Sequence, residues 1–212
     1  MNVSHPIRGI IPTLDAAVIE VLAGTTRGLS GREIQRLAGT GSVRGVQLVL
    51  ARLISQGLVQ GDEHAGATLY TGNRAHLAWP AIEALVSLRG VFLARLREVL
   101  SSWTLRPLHV SLFGSAARSD GDATSDIDLL VVRPDTVAEG DEAWEGQIDA
   151  LRDHVVSWTG NRCQAFDINR VRLGAHVAAR DPLVENWLRD EILLAGEPLT
   201  AVVDGLAAEA RA

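Results

Sequence analysis

Residues Phe113–Val132 read FGSAARSDGDATSDIDLLVV and place four aspartates within nine residues, directly before an apolar run. The apolar run predicts a buried strand, on which alternate side chains point to opposite faces. Asp126 and Asp128 then share one face, while Ile127 and Leu129 share the face that enters the core. The stretch therefore predicts two adjacent carboxylates held at the edge of a hydrophobic core.

Such a pair of carboxylates is costly, because each charge disfavours ionisation of the other and both lose water on burial. A divalent cation removes the repulsion, and Mg²⁺ commonly binds one or two carboxylates together with substrate phosphates. A calcium loop that starts at Asp120 would need Gly at its sixth position and Glu at its twelfth, which are Ser125 and Val131 here. The spacing favours a Mg²⁺ site, and we interpret Asp120 and Asp122 as solvated turn residues.

The segment before the aspartates, LHVSLFG, predicts a strand that ends at Gly114. A glycine where a strand gives way to a helix lets the backbone approach a ligand closely. The amides at the start of a helix, with the hydroxyl of Ser115, suit a phosphate group. Gly114 and Ser115 are therefore candidate phosphate-binding residues.

The order of these features resembles the signature of the DNA polymerase beta-type nucleotidyltransferase superfamily. The matching positions are Gly114, Ser115, Ala117, Arg118, Ser125, Asp126 and Asp128. The chain is most similar to the minimal nucleotidyltransferase group, whose relatives include the aminoglycoside nucleotidyltransferases. The usual glycine after the arginine is Ser119 here, and the resemblance covers about residues 107–198. It implies an α+β fold in which a domain at 105–212 has a mixed β-sheet flanked by helices.

The family also implies a third carboxylate on a later strand. The segment RCQAFDINRV predicts such a strand, with Ala165 and Asn169 on the face of Asp167 and with Phe166 and Ile168 on the other. We therefore assign Asp167 as third metal ligand or general base; its other interpretation is a strand-end residue that caps the next turn. Two Mg²⁺ ions are expected on the three carboxylates, which are Asp126, Asp128 and Asp167. The residues assigned to the nucleotide are Gly114, Ser115 and Arg118.

The implied reaction is transfer of a nucleoside monophosphate from a nucleoside triphosphate, such as ATP, to an acceptor hydroxyl of a small molecule or protein. Minimal members of the family are often antitoxins that nucleotidylate a HEPN-type toxin, so a partner of that kind is expected by analogy alone. The alternative is a transcriptional regulator whose nucleotidyltransferase-like domain senses nucleotide without turnover. Three carboxylates favour the enzyme, because a sensor has less need of the third.

Residues 1–77 carry a different pattern, with three amphipathic helices followed by strands at 58–60 and 67–72 and a turn at 61–66. Ser30 and Glu33 predict a capping box at the start of the second helix. This order resembles the bacterial winged helix-turn-helix regulators, whose third helix enters the major groove of double-stranded DNA. The candidate DNA-binding residues are Ser42, Arg44 and Gln47 on base edges and Arg52 on a phosphate.

A docking or dimerisation role for residues 1–77 stays open. Asp62 and Glu63 in the predicted wing would repel DNA phosphates. Residues 1–75 carry seven arginines and five acidic residues, a small excess for phosphate neutralisation, whereas the remainder carries 13 and 21. The two parts of the chain therefore predict two modules with different partners.

Residues 78–104 repeat apolar side chains at helical spacing and predict one linking helix, which could join the modules or pair with its copy in a homodimer. No apolar run approaches the roughly 20 residues needed to span a bilayer, and residues 1–12 lack the pattern of a secretory signal. We expect a cytoplasmic protein with no membrane partner. The single cysteine, Cys163, predicts no internal disulfide and is interpreted as a small apolar residue of the core.

Overall fold

The structure is a computed structural model that describes residues 1–64 and 66–209. The chain divides into two compact units. The N-terminal unit is His5–Arg89, and the C-terminal unit is Gly90–Ala212 together with Met1–Ser4. In the described residues no helix is both long enough and apolar enough to cross a bilayer.

The N-terminal unit consists of short helices and a three-stranded antiparallel sheet. Its helices are α1 (Pro6–Ile10), α2 (Leu14–Ala23), α3 (Gly31–Ala38), α4 (Val43–Ser55) and α5 (Trp79–Val86). Its strands are β1 (Leu29–Ser30), β2 (Val59–His64) and β3 (Ala67–Gly72), in the order β1-β3-β2. The predicted turn at 61–66 is shorter than expected, because Gly61–His64 pairs with Ala67–Tyr70; Ala65 lies outside the described residues.

Local sequence explains where α3 and α4 begin and end. The predicted capping box of α3 is confirmed, since the Ser30 side chain accepts from the Glu33 amide and the Glu33 side chain accepts from the Ser30 amide. The helix ends at Gly39 in the left-handed conformation. Ser42 caps α4 by accepting a hydrogen bond from the Gly45 amide at 3.0 Å. Apolar side chains from α2, α3 and α4 form the core of this unit.

The predicted linking helix is two helices in the structure. The helix α5 ends at Val86 and α6 (Leu88–Ser101) follows it, with Ser87 between them. The hydroxyl of Ser87 donates to the Ala84 carbonyl at 3.0 Å, a local bond that a serine can make either within a helix or at its end. The apolar residues of α5 pack in the N-terminal core and those of α6 in the C-terminal core, so the two segments serve different cores.

The C-terminal unit is a four-stranded mixed sheet with helices. Its strands are β4 (His109–Phe113), β5 (Ile127–Arg133), β6 (Cys163–Asn169) and β7 (Ile192–Gly196), in the order β6-β5-β4-β7. Its further helices are α7 (Gly114–Arg118), α8 (Glu142–Thr159), α9 (Arg170–Ala178), α10 (Pro182–Asp190) and α11 (Leu199–Glu209). The β5–β6 pair is parallel and the other pairs are antiparallel. The predicted α+β class with a mixed sheet and flanking helices is confirmed.

Both faces of this sheet are covered. Leu129 and Val131 of β5 pack in a core with side chains of α6 and α8. Leu130 and Val132 of the same strand pack in a second core with side chains of α9, α10 and α11. Because alternate residues of a strand point to opposite faces, each face of the sheet can be identified by the core it contributes to.

Candidate active site

The two central aspartates lie where β5 begins. Asp126 directly precedes the strand and Asp128 is its second residue, partly buried. Burial, and secondly the charge of Asp126, raises the pKa of Asp128 above its ordinary value. The structure therefore brings the predicted carboxylate pair together at the edge of the second core.

Gly114 lies against this pair. It follows Phe113, which pairs with Asp128 in the β4–β5 ladder, and it adopts a φ of 70°. A Cβ atom at Gly114 would stand 2.8 Å from Oδ2 of Asp128. Only glycine satisfies both the left-handed backbone and the space that the carboxylate occupies.

Gln164 is the neighbour of the pair that the sequence reasoning missed. It pairs with Asp128 in the parallel β5–β6 ladder, and its Nε2 donates to Oδ2 of Asp126 at 2.6 Å. Paired residues of adjacent strands share a face of the sheet, so Gln164 belongs to the same site as both aspartates. Only the strand register shows this, and no local motif around Gln164 marks it.

Asp167 lies elsewhere, and this corrects the predicted set of ligands. It pairs with Val131, whose side chain contributes to the first core, so it stands on the face of the sheet opposite Asp128. There Oδ2 of Asp167 accepts from the Trp144 indole at 3.1 Å and lies 3.6 Å from the guanidinium of the buried Arg133. A cation bound by Asp126 and Asp128 would have the sheet between itself and Asp167.

The surroundings of Asp167 form a polar cleft on that other face. Glu145, Ile148, Asp149 and Arg152 of α8 line it with Asp167. Oδ1 of Asp167 is buried and has no hydrogen-bond partner among the residues that the structure describes. Glu145 and Asp149 are exposed on α8, which packs on the face of the sheet opposite Asp128.

Arg118, assigned to the nucleotide, joins α7 to α10. Its Nε donates to Asp120 at 2.9 Å and its Nη1 donates to Asp190 at 2.5 Å. These two bonds raise the pKa of Arg118. The Asp190 side chain is only 1% exposed, and hydrogen bonds from Arg189 and then Arg118 keep its pKa below the usual range. Sequence reasoning missed Asp190, since nothing in the sequence relates it to α7.

The loop between α7 and β5 is a folded turn. The amides of Asp120 and Gly121 both donate to the Ser115 carbonyl at 3.2 Å. Asp122 accepts from the hydroxyl and the amide of Thr124, and these bonds lower its pKa. Asp122 is thus a turn residue, as the sequence predicted, and the loop returns the chain to the start of β5.

Cysteine chemistry contributes nothing here. Burial raises the pKa of Cys163 to about 12, so its thiol stays protonated near neutral pH and its side chain packs against the first core.

Among residues 1–64 and 66–209, no group of three or more His, Cys, Asp or Glu side chains is arranged to hold a metal ion. The donor set at β5 is therefore two carboxylates and one amide, which suits a hard cation that takes its other ligands from water or phosphate.

The candidate DNA-binding residues lie in the N-terminal unit, on α4 and its cap. Ser42, Arg44 and Gln47 are exposed, although the Ser42 hydroxyl is used to cap the helix. Arg52 forms an ion pair with Asp15 of α2, so its guanidinium already has an anionic partner. Leu48, on the exposed part of the same helix, is 65% exposed.

Comparison with known proteins agrees with the site's location. Residues 93–174 match the family described as nucleotidyltransferase domain, a range that includes Gly114, Asp126, Asp128 and Gln164. No curated protein and no solved structure matches the chain significantly. The match shows that residues 93–174, which include the strand that presents the two carboxylates, are similar to a nucleotidyltransferase domain.

Proposed function

We propose that the C-terminal unit transfers a nucleoside monophosphate from a nucleoside triphosphate to an acceptor hydroxyl, with cleavage of the α–β phosphoanhydride bond and release of pyrophosphate, and with Mg²⁺ bound by Asp126 and Asp128. The observation that carries the proposal is the pairing of these two carboxylates beside Gly114, inside the segment that matches the family. Two neighbouring carboxylates at the edge of a core are only partly hydrated, so a bound cation stabilises their charge better than water does.

Each residue of the site has a distinct part in this proposal. Mg²⁺, when bound, would neutralise phosphate charge and lower the pKa of the attacking hydroxyl. Asp126 and Asp128 would orient the ion, and Gln164 would hold the Asp126 carboxylate. Gly114, which carries no side chain to block the approach, and Ser115 would face the triphosphate. Arg118 lies at the end of α7, and a phosphate would have to compete with Asp120 and Asp190 for its guanidinium.

The activity can be tested with labelled ATP, GTP, CTP and UTP, each supplied with Mg²⁺ and a panel of acceptors. The panel would contain small hydroxyl compounds and hydroxyl-bearing proteins, including a HEPN-type toxin. We expect label on at least one acceptor, and we expect both EDTA and the Asp126→Asn/Asp128→Asn variant to abolish it. Asp149→Asn is the matched control, because its carboxylate is 70% exposed on α8, away from the site.

A second candidate function has its own observation. Asp167 lies on the opposite face of the sheet, so the site lacks the third carboxylate that favoured an enzyme over a sensor. A regulator would bind nucleotide with Mg²⁺ and leave it intact. Nucleotide binding that the Asp126→Asn/Asp128→Asn variant loses, with no label on any acceptor and no release of pyrophosphate, would favour this regulator over the transferase.

We also propose that the N-terminal unit is a winged helix-turn-helix module that binds double-stranded DNA through α4. The order of α2, α3 and α4 before the β2–β3 hairpin supports this, as do the exposed side chains of Arg44 and Gln47. The pairing of Arg52 with Asp15 speaks against the phosphate contact that the sequence predicts for Arg52. We therefore assign the DNA contacts to the first turns of α4.

Gel-shift titration on duplex DNA from the region upstream of the gene tests this assignment. We expect binding that weakens with salt, and we expect Arg44→Ala to weaken it further and to reduce the salt slope by about 1. Arg27→Ala is the control, since its exposed side chain lies outside α4. No binding at low salt would leave docking to a protein or to a second copy as the role of this unit.

A further inference from the structure

We propose that Gln164 takes the position of a third carboxylate and that the site consequently binds one divalent cation, in place of the two that the three predicted ligands implied. This inference rests on the proposed function, because it concerns the cation bound by Asp126 and Asp128. It goes further by assigning a residue, Gln164, and a number of ions.

The first step is the position of Gln164. It is directly opposite Asp128 in the parallel ladder and donates to Asp126 at 2.6 Å, so its side chain contacts one carboxylate and neighbours the other. The next residues on its face of β6 are Phe166 and Ile168, which are apolar. Within the described residues of β6, the only carboxylate is that of Asp167, on the far face.

The second step is the charge. Asp126 and Asp128 supply a formal charge of −2, and an amide adds none. Two dications a few ångströms apart, as in two-metal sites, repel each other strongly and need surrounding anionic ligands to offset the repulsion. The carboxylates of Asp120 and Asp190 add no free charge for a second ion, since both are already bonded to arginine. In the chain without nucleotide, one dication balances the charge of these ligands, and a second does not.

The third step is what the amide can do that a carboxylate cannot. Its nitrogen donates to Asp126 and fixes the orientation of that carboxylate without adding repulsion. The two ends of a glutamine amide are chemically different but similar in shape, and rotation about its last bond presents an oxygen in place of the nitrogen. Gln164 is thus a positioning residue for Asp126 in the structure, and only the rotated amide, which gives up this hydrogen bond, would offer a neutral oxygen to the cation.

Binding of Mn²⁺ to the full chain, measured by isothermal titration calorimetry and by the loss of the free-ion electron paramagnetic resonance signal, tests the proposal. No nucleotide is added, because a triphosphate binds metal itself. We expect one Mn²⁺ per wild-type chain, and none at this affinity in the Asp126→Asn/Asp128→Asn variant. Gln164→Asp should bind Mn²⁺ at least about tenfold more tightly or take up a second ion, since a carboxylate about 4 Å from a dication contributes more than that factor requires.

One further variant tests whether the amide of Gln164, and not its volume, supports metal binding, and another is a control on the opposite face of the sheet. Gln164→Leu keeps a similar volume but removes the amide, and it should weaken Mn²⁺ binding severalfold because Asp126 loses its donor. Gln164 is exposed, so neither substitution disturbs a core, and circular dichroism would verify that each variant folds. Asp167→Asn, on the far face, should bind Mn²⁺ as the wild type does.

The outcomes distinguish this inference from the proposed function. Two ions per wild-type chain, or a Gln164→Asp variant with unchanged affinity and stoichiometry, would overturn the role of Gln164 and leave the transferase proposal standing. If the wild type bound no Mn²⁺, or bound it as well as the double aspartate variant does, the metal site itself would be lost and both proposals with it.

Discussion

Substitution of Gly114 should impair metal binding at the site more than it destabilises the fold. Gly114→Ala places a methyl group 2.8 Å from Oδ2 of Asp128 and holds a non-glycine residue at a φ of 70°. We expect a backbone cost of about 1–2 kcal/mol, which the free energy of unfolding in urea would measure. We expect a larger effect on function, with Mn²⁺ affinity reduced at least about tenfold because the carboxylate must move.

Gly146 offers the matched control for this substitution. It lies inside α8, and a Cβ atom there would meet no other atom within 4 Å. Gly146→Ala should leave Mn²⁺ binding unchanged and stabilise the protein by up to about 1 kcal/mol, because alanine favours the helix. Equal metal affinity in the two variants would refute the close contact between Gly114 and Asp128.

Asp167 should behave as a structural residue. Asp167→Ala removes the acceptor of the Trp144 indole and leaves the guanidinium of Arg133, a residue only 4% exposed, without its carboxylate. We expect the free energy of unfolding to fall by about 1–3 kcal/mol while the affinity for Mn²⁺ stays within twofold of wild type. The exposed Asp149 is the control, and its alanine variant should change stability by less than about 0.5 kcal/mol. Loss of metal binding with stability unchanged would restore Asp167 to the site.

The error over Asp167 has a physical cause. The alternation along β6 correctly separates Asp167 from Phe166, but it does not say which of the two faces meets Asp128. That depends on the register between β5 and β6, and a shift of one residue exchanges the faces. Because both faces of this sheet are covered by helices, the apolar residues Phe166 and Ile168 share the face of the site, and polarity was a misleading guide.

At the scale of helices and strands, the sequence predicted helix starts correctly where a side chain bonds to a backbone amide a few residues away. The Ser30–Glu33 capping box and the Ser42 cap were predictable because their partners lie three residues away. The division of residues 78–104 into α5 and α6 was not, because Ser87 is compatible with either a helix or its end. Packing decided it, since the two segments contribute to different cores.

The α3 capping box gives a prediction at this scale. Ser30→Ala removes the acceptor for the Glu33 amide and should lower the free energy of unfolding of the N-terminal unit by about 1 kcal/mol. Far-ultraviolet circular dichroism in urea would measure it. Ser55→Ala is the control, because the Ser55 hydroxyl donates to the Arg52 carbonyl at the exposed end of α4 and caps no helix start. A loss for Ser55→Ala equal to that for Ser30→Ala would contradict the capping argument.

At the scale of the whole molecule, the sequence indicated two modules through their opposite charge balance, and the contacts divide the chain into two units. What the sequence did not show is that the C-terminal unit has two cores, one on each face of its sheet. The strand β5 supplies both, through Leu129 and Val131 on one side and Leu130 and Val132 on the other. An uninterrupted apolar run of this kind is typical of a strand buried on both faces.

The stability of the C-terminal unit should depend on pH, because His109 of β4 is buried inside it. The ring is fully buried, with Nδ1 2.7 Å from the Glu197 carbonyl oxygen and Nε2 2.8 Å from the Ser111 hydroxyl. Burial lowers the pKa of His109, and the Glu197 carbonyl and the charge of Glu191 oppose this only in part. The folded unit therefore holds His109 neutral at a pH where the unfolded chain, with a pKa near 6.5, binds a proton.

The sign of the effect follows from this difference. As the pH is lowered below about 6.5, His109 takes up a proton in the unfolded state before it does so in the folded state. The free energy of unfolding therefore decreases as the pH is lowered, by at most about 1.4 kcal/mol per pH unit, until the folded state is protonated as well. Urea unfolding followed by tryptophan fluorescence measures it well, because four of the five tryptophans belong to the C-terminal unit. His109→Gln should flatten the curve between pH 5.5 and about 7, whereas His154→Gln, at an exposed position of α8, should keep the slope. A wild-type curve that is flat over this window, or a slope that survives His109→Gln, would show that the buried ring does not set the acid sensitivity of this unit.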